Sequence, residues 1–325
     1  MALKRVLIVN KTFPAAGLEL LKNEVETVVV PHFDYNNESL PTIKSTIRSG
    51  FDGLIWNTKH RLSEDILDLA GPRLKAVSTM SSGVDQIDTD ELKKRGLLLG
   101  NTSKALDDAV ADIAVGLMIG AARRFKEGVK ELETGNWKYG VQWMLGQDIV
   151  NSTVGIVGLG GIGQTIVRRL KGFDVAKFIY SGRTDKKEAI ELGATRVPLE
   201  QLLKESDYVI LACPLSKETK HMINEEALKT MKKTSVLVNI GRGDLIDQTA
   251  LYNALKDGEI FAAGLDVTTP EPISKDDPIV SLPNCYVLPH LGSATVETRN
   301  AMAKISAKNI LLALNEKPMM FPIPL

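Results

Sequence analysis

The chain has 325 residues, 44% of them hydrophobic, with 40 basic side chains balanced by 40 acidic ones. This length accommodates two domains with buried cores. The balanced charge argues against nucleic acid or an anionic membrane surface as a partner. Two cysteines exclude a disulfide framework, and no apolar run approaches the roughly 18 residues that span a bilayer. We therefore expect a cytoplasmic protein.

From residue 4 to about residue 101, short apolar runs such as KRVLIVN and DGLIWN alternate with amphipathic stretches. This alternation is typical of parallel strands joined by crossover helices. A second series of the same kind begins at STVGIVGLG and ends at CYVLPH. The sequence therefore predicts an α/β fold with two doubly wound parallel-sheet domains.

The final segment, TVETRNAMAKISAKNILLALNE, has helical spacing and follows the second series. The first series lacks a closing helix, so a chain that returns to its first domain at the end accounts for both observations. We predict a discontinuous first domain of residues 1–104 and 296–325, and a second domain of residues 105–295.

Residues 107–125, DDAVADIAVGLMIGAARRF, predict one long and nearly all-apolar helix. Asp107 and Asp108 favour its N-terminus, and Arg123 and Arg124 favour its end, through the helix dipole. A helix that is apolar on nearly every side must be covered on every side. We expect it to pack between domains or against a second subunit, and we predict a homodimer.

A glycine-rich turn follows the apolar run TVGIVGL and precedes the helical QTIVRRLKGF. Gly158, Gly160 and Gly163 form G-x-G-x-x-G, with Gly161 and Ile162 inside the turn. The three glycines allow a tight turn, close approach to a pyrophosphate and close helix packing, and the amides at the helix start face the anion. A turn that binds nothing is the alternative, and the flanking strand and helix argue against it.

The segment FIYSGRTDKK lies where NAD-specific folds place an acidic residue against the ribose. Here Ser181 occupies that place, and Arg183, with Lys186 or Lys187 nearby, offers positive charge to a 2′-phosphate. The cofactor prediction is NADP(H), with NAD(H) as a secondary possibility. The alternative is a set of solvated charges on a surface turn.

Three later strands end in residues suited to acid–base chemistry on a keto acid. Arg242 lies between two glycines and suits a carboxylate. His290 follows CYVLP and could donate a proton to a carbonyl oxygen, and Glu271 in TTPEP could stabilise the imidazolium. Taken singly, each has a structural interpretation: a surface ion pair, a helix cap or an exposed turn residue.

The motifs VSTMSSGVDQID, GLGGIG, YSGRT, NIGRGDLID, AAGLDVTTPEP and LPHLGSAT cover almost the whole chain in one order. In this order and spacing the chain resembles the D-isomer-specific 2-hydroxyacid dehydrogenases, most closely their glyoxylate reductase/hydroxypyruvate reductase branch. Gly161 departs from the family, because many relatives carry a basic residue there. The resemblance implies two doubly wound domains with the active site in the cleft between them. The domain of residues 1–104 and 296–325 would bind the substrate, and the domain of residues 105–295 would bind the dinucleotide.

The resemblance also implies roles for individual residues. Arg242 would orient the substrate, and His290 would be the acid/base, paired with Glu271. Further substrate contacts would come from backbone amides of residues 81–84, and the implied residues are Ser81, Ser82, Gly83, Ser293 and, from the partner subunit, Trp143. The cofactor would also meet Cys213, Pro214, Ile240, Asp266 and Gly292. No metal is implied.

We therefore predict an enzyme that reduces glyoxylate or hydroxypyruvate to glycolate or D-glycerate with NADPH or NADH. Another enzyme on the same scaffold, such as phosphoglycerate or formate dehydrogenase, is one alternative, and FIYSGRT argues against strict use of NAD. A non-enzymatic, nicotinamide-sensing interaction protein is the other alternative. The presence of all three catalytic candidates argues against it.

Overall fold

The computed structural model describes residues 3–31 and 39–325. The chain divides into unit 1, Met1–Leu106 with Ala294–Leu325, and unit 2, Asp107–Ser293. Each unit is an α/β structure built on a parallel sheet, which confirms the predicted fold class. The cleft between the two domains, which the resemblance implies, stays a prediction. In those two described ranges we find no helix with the length and apolar character needed to cross a membrane.

Unit 1 is built on a parallel sheet with the strand order β2-β1-β3-β4-β5, which is the flavodoxin-like order. Its strands are β1 Arg5–Ile8, β2 Glu26–Val29, β3 Gly53–Ile55, β4 Ala76–Ser78 and β5 Leu98–Gly100. Its helices are α1 Ala15–Leu21, α2 Ser39–Ile47, α3 Glu64–Ala70, α4 Thr89–Lys94 and, from the end of the chain, α13 Val296–Leu314.

Helix α13 covers one face of the unit 1 sheet. Val6 and Ile8 of β1 are fully buried in one cluster with Ala307 and Ile310 of α13. A Cβ at Gly53 of β3 would lie 2.8 Å from Cγ2 of Ile310, so a glycine lets helix and strand approach. Strands buried on both faces are apolar throughout, and the continuous apolar runs of the sequence have this cause.

Unit 2 is built on a seven-stranded parallel sheet with the order β12-β11-β10-β9-β6-β7-β8. Its strands are β6 Thr153–Val157, β7 Lys177–Ser181, β8 Ala194–Arg196, β9 Tyr208–Leu211, β10 Val236–Asn239, β11 Ala262–Leu265 and β12 Cys285–Val287. Its α-helices are α5 Asp107–Ala122, α6 Phe125–Glu133, α7 Gly161–Leu170, α8 Glu188–Leu192, α9 Leu199–Glu205, α10 Glu225–Thr230, α11 Gln248–Lys256 and α12 Pro278–Ser281. The strand order reverses at β6, and ligands of such sheets bind at that switch point, outside the carboxyl ends of the strands.

The long apolar helix ends three residues earlier than predicted, at Ala122. Arg124 takes the left-handed conformation, with φ of 57°, and α6 begins at the next residue. A Cβ at Gly146 would lie 2.3 Å from the Ala122 carbonyl oxygen, so a returning loop occupies the space where the helix would continue. Helix α5 packs on α7 and β11 inside unit 2, where Leu117 meets Gly264. Its apolar composition is thus explained without a second subunit, and a homodimer must be argued from another surface.

Asn309 ties the end of the chain to unit 1. This α13 side chain is fully buried, and its Nδ2 donates to the Asn101 carbonyl oxygen at 2.9 Å. Its Oδ1 accepts from the backbone N–H groups of Met320, at 2.9 Å, and Phe321, at 3.3 Å. One buried amide therefore satisfies backbone groups of two separate segments.

We expect Asn309→Ala to lower the free energy of unfolding of unit 1 by about 2–4 kcal/mol, because it leaves buried backbone groups without partners. Urea denaturation followed by tryptophan fluorescence measures the change. Lys308→Ala, at the exposed neighbouring position, is the matched control and should leave the transition unchanged. Equal midpoints for the two variants would contradict this role of Asn309.

Candidate active site

The glycine turn between β6 and α7 leaves an open cradle at a helix N-terminus. Gly158 has φ of +99°, and a Cβ there would lie 2.8 Å from the Ala212 carbonyl oxygen. A Cβ at Gly163 would lie 2.2 Å from the carbonyl oxygen of Gly158. At Gly160, which caps α7, a Cβ would meet nothing within 4 Å. Gly158 and Gly163 are thus needed for packing, while Gly160 keeps the backbone open to an anion. The turn therefore fits a pyrophosphate.

The absence of a side chain at Gly161 has a structural cause. A Cβ at this position would lie 2.1 Å from Oδ2 of Asp107, in the first turn of α5. Any side chain at 161 would have to displace that carboxylate. The glycine that departs from the family pattern therefore accommodates Asp107.

The loop after β7 carries the residues predicted to face the adenosine ribose. Ser181 ends β7, and its carbonyl oxygen accepts from the Gly158 N–H at 2.8 Å. Arg183 is exposed. The pKa of Glu218 lies below its usual value because Ser216 donates to it, and the charges of Lys217 and Arg183 add to this effect.

Cys213 and Pro214 follow β9, the neighbour of β6 on its other side. Burial raises the pKa of the Cys213 thiol to about 11, so the thiol stays protonated near neutral pH. Pro214 is exposed. Ile240, after β10, is buried and its N–H donates to the Leu211 carbonyl oxygen at 3.2 Å.

The turn that carries Arg242 is held by the last residue of β10. Asn239 is fully buried; its Oδ1 accepts from the Gly241 N–H at 3.0 Å, and its Nδ2 donates to the Arg242 carbonyl oxygen at 2.8 Å. A Cβ at Gly243 would lie 2.2 Å from the carbonyl carbon and oxygen of Thr268. The loops after β10 and β11 therefore touch at the residue that follows Arg242.

His290 and Glu271 form a hydrogen-bonded pair beside that contact. Nδ1 of His290 lies 2.9 Å from Oε2 of Glu271, and the Thr268 N–H donates to Oε1 at 3.1 Å. Burial raises the pKa of Glu271, but the hydrogen bond and charge of His290, the Thr268 N–H and the charge of Arg242 together lower it below its usual value. Arg242, Glu271 and His290 thus lie at one edge of the unit 2 sheet.

Asp266, at the end of β11, clamps the turn that contains His290. The imidazole is carried on a left-handed residue, with φ of 54°, whose N–H donates to the Asp266 carbonyl oxygen at 2.9 Å. The Asp266 carboxylate accepts from the N–H groups of Leu291, at 2.7 Å, and Gly292, at 2.8 Å. Burial raises the pKa of Asp266, and these two N–H groups only partly offset it. Ser293 follows and is half-buried.

The predicted substrate loop of unit 1 follows β4. The Gly83 N–H donates to Oγ of Ser81 at 3.2 Å, so one of the four predicted amides has a partner within the loop. Nδ2 of Asn101 donates to the Ser82 carbonyl oxygen at 2.7 Å, and the Thr102 N–H donates to the Ser81 carbonyl oxygen at 3.0 Å. The loop is therefore fixed to the end of β5.

Two side chains that support the site were not predicted from the sequence. Asn239 holds the Arg242 turn, and Gln248, the first residue of α11, accepts from the Thr269 N–H at 3.1 Å through Oε1. Nε2 of Gln248 donates to Asp277 at 3.2 Å. A polar residue at the end of the buried run VLVN is the one signal that could have indicated Asn239. Nothing in the sequence around Gln248 indicates its partners.

Comparison with known proteins gives consistent matches over most of the chain. A family model described as "D-isomer specific 2-hydroxyacid dehydrogenase, NAD binding domain" matches residues 115–292. The chain is 44% identical over 317 residues to a human glyoxylate reductase/hydroxypyruvate reductase, covering 96% of each. It is 41% identical over 316 residues to a Pyrococcus furiosus glyoxylate reductase, covering 95% of this chain and 92% of the relative.

A solved structure also matches this chain over nearly its whole length. An NADPH-dependent glyoxylate/hydroxypyruvate reductase from Sinorhizobium meliloti, determined with NADP and malonate, has a TM-score of 0.84 at 31% identity. The match covers 99% of this chain and 97% of that one.

The Glu271–His290 pair predicts a pH-dependent contribution to stability. Because the pKa of Glu271 in the folded protein lies below its usual 4.5, its carboxylate stabilises the fold fully above that value. This contribution is lost as the pH falls through the lowered pKa. The melting temperature of the wild type should therefore exceed that of Glu271→Gln near neutral pH, and the gap should close in acid. Calorimetry from about pH 7 to about pH 3 measures it.

Glu200→Gln, at an exposed position of α9, is the matched control and should show no such change with pH. A gap between wild type and Glu271→Gln that stays constant over this range would contradict the charged interaction.

Proposed function

Because the chain belongs to the D-isomer-specific 2-hydroxyacid dehydrogenases, we propose that it reduces glyoxylate and hydroxypyruvate to glycolate and D-glycerate, with NADPH as the preferred reductant. Family membership confirms the resemblance inferred from the motifs. The observation that carries the proposal is the His290–Glu271 pair at 2.9 Å. It lies in the same unit, and at the carboxyl edge of the same sheet, as the glycine turn.

The glycine turn is the proposed site of the dinucleotide pyrophosphate. The open position at Gly160 and the N-terminus of α7 support this assignment. The absence of an acidic residue at position 181 and the exposed Arg183 support NADPH over NADH. When bound, the reduced nicotinamide supplies a hydride to the carbonyl carbon of the keto acid.

The remaining chemistry is assigned to side chains of unit 2. Arg242 binds the substrate carboxylate through its planar fork. Nε2 of His290, the ring nitrogen that Glu271 does not contact, donates a proton to the carbonyl oxygen as the C–O double bond becomes single. The product is a 2-hydroxy acid, and the imidazole regains a proton from solvent.

Glu271 and Asp266 support this step in different ways, through the imidazole ring and through the backbone turn. Glu271 accepts from Nδ1, so it holds the ring orientation and stabilises the imidazolium. Asp266 holds the backbone turn on which the ring is mounted. The resemblance further assigns the nicotinamide carboxamide to Asp266, and the substrate carboxylate to the amides of the Ser81–Gly83 loop and to Ser293.

We expect His290→Ala to lower kcat for glyoxylate by about two to four orders of magnitude, the usual effect of losing a general acid. Loss of nicotinamide absorbance with NADPH and glyoxylate measures turnover. A far-UV circular dichroism spectrum like that of the wild type and an unchanged dissociation constant for NADPH are the controls, because the cofactor pyrophosphate is assigned to the glycine turn and not to the imidazole. Near-normal kcat would remove His290 from the mechanism, and wild-type protein inactive on every small keto acid would favour a non-enzymatic role.

We also propose a cytoplasmic location. Both cysteines are free, and Cys285 is fully buried with its pKa raised by burial to about 12. Free thiols of this kind suit a reducing compartment.

The proposed homodimer rests on an apolar stripe along α6. Phe125, Val129 and Leu132 are spaced to lie on one side of the helix, and each is at least half exposed. No residue of α6 is buried. The following loop adds Trp137, which is 67% exposed, and Val141, which is 91% exposed. Apolar exposure this concentrated marks an interaction surface, and a second copy of the chain is its proposed partner.

The resemblance extends this proposal to Trp143, which follows the stripe and is half-buried within its own chain. In the proposed dimer its ring reaches the partner's substrate site.

We expect Leu132→Asp to convert the dimer to a monomer, because it buries a charge in an apolar contact. Light scattering after size-exclusion chromatography measures the mass. Lys130→Glu, an exposed residue of the same helix, changes the charge without touching the stripe. A wild-type monomer, or dissociation of both variants alike, would contradict the assignment.

A further inference from the structure

Arg196, the last residue of β8, folds over the loop that follows β7. Its Nε and Nη2 donate to the Gly182 carbonyl oxygen at 3.1 and 2.8 Å, and Nη2 also donates to the Arg183 carbonyl oxygen at 3.1 Å. Nη1 lies 3.3 Å from Oδ1 of Asp185. One guanidinium thus holds three residues of the loop that follows Ser181.

The backbone contacts, rather than the ion pair, define this arrangement. Asp185 has 84% of its side chain exposed, and an ion pair so exposed contributes little. The two carbonyl oxygens accept from adjacent edges of a planar group, which no other side chain presents in the same fixed geometry. The loop is also attached at Tyr180, whose carbonyl oxygen accepts from the Val197 N–H and whose hydroxyl accepts from the Lys186 N–H.

Fixing these carbonyl groups also fixes the direction of the amides. In a trans peptide the C=O and the following N–H point to opposite sides. Since the Gly182 and Arg183 carbonyl oxygens face Arg196, the N–H groups of Arg183 and Thr184 face away from it. Within the described chain neither N–H donates a hydrogen bond. They leave a pair of unoccupied donors on the side of the loop opposite Arg196.

We infer that Arg196 is a positioning residue for a 2′-phosphate subsite formed by the Arg183 and Thr184 amides and the Arg183 guanidinium. This inference rests on the proposed function, because the glycine turn must hold the dinucleotide whose ribose lies at the end of β7. Arg196 turns two carbonyl oxygens, which would repel a phosphate, away from the subsite. It acts through the loop and does not touch the ligand.

Two adenosine nucleotides that differ only in the 2′-phosphate test this inference. Isothermal titration of the full chain with 2′,5′-ADP and with ADP gives one dissociation constant for each. In Arg196→Lys and Arg196→Gln the affinity for 2′,5′-ADP should fall about tenfold, the effect of losing one charge-assisted hydrogen bond. The affinity for ADP should change less than about twofold. Arg183→Ala, which removes a proposed direct contact, should give at least the same selective loss.

The lysine variant distinguishes positioning from charge, because it keeps the charge but lacks the fork. Wild-type affinity in Arg196→Lys with loss in Arg196→Gln would overturn the positioning role. Equal loss for both nucleotides would overturn it as well, since that result reports a disordered loop. Lys177→Gln, at the opposite end of β7, is the control and should bind both nucleotides normally. Wild-type protein that binds neither nucleotide would instead refute the proposed dinucleotide site.

Discussion

The candidate site depends on one backbone contact, at Gly243. The residue after Arg242 has no room for a Cβ, because the Thr268 carbonyl group would lie 2.2 Å away. This contact joins the loops after β10 and β11, and the second loop carries Glu271. Asn239 fixes one side of the junction and Gln248 the other. Main-chain packing thereby holds a guanidinium and the carboxylate that contacts the imidazole, and such packing is stiffer than contacts between long side chains.

The sequence was sufficient to predict those features of the site that follow from the order of the strands. The carboxyl ends of neighbouring parallel strands meet at one edge, so residues directly after SVLVNIG, FAAGLDV and CYVLP had to lie close together. The side chains that support them were missed because their partners are backbone groups far along the chain, as with Arg196 and Gly182. The end of α5 was missed for a similar reason. The sequence around Arg124 continues a helical pattern, and a loop that returns at Gly146 stops it.

The glycine turn shows how a departure from a family pattern can arise from packing. Asp107 stabilises the start of α5 through the helix dipole, and its carboxylate occupies the space beside Gly161. A basic side chain at 161 would therefore require a different arrangement of the first turn of α5. The two positions are coupled, although 54 residues separate them along the chain.

The return of α13 to unit 1 has a consequence for folding during translation. Unit 2 is complete once residue 293 has been synthesised, whereas one apolar face of the unit 1 sheet stays incompletely covered until residues 296–314 have left the ribosome. Unit 1, most of which is synthesised first, is thus the last unit to complete its hydrophobic core. For that interval Val6 and Ile8 lack their contacts with α13, and a nascent chain in this state is a substrate for chaperones that bind extended apolar segments.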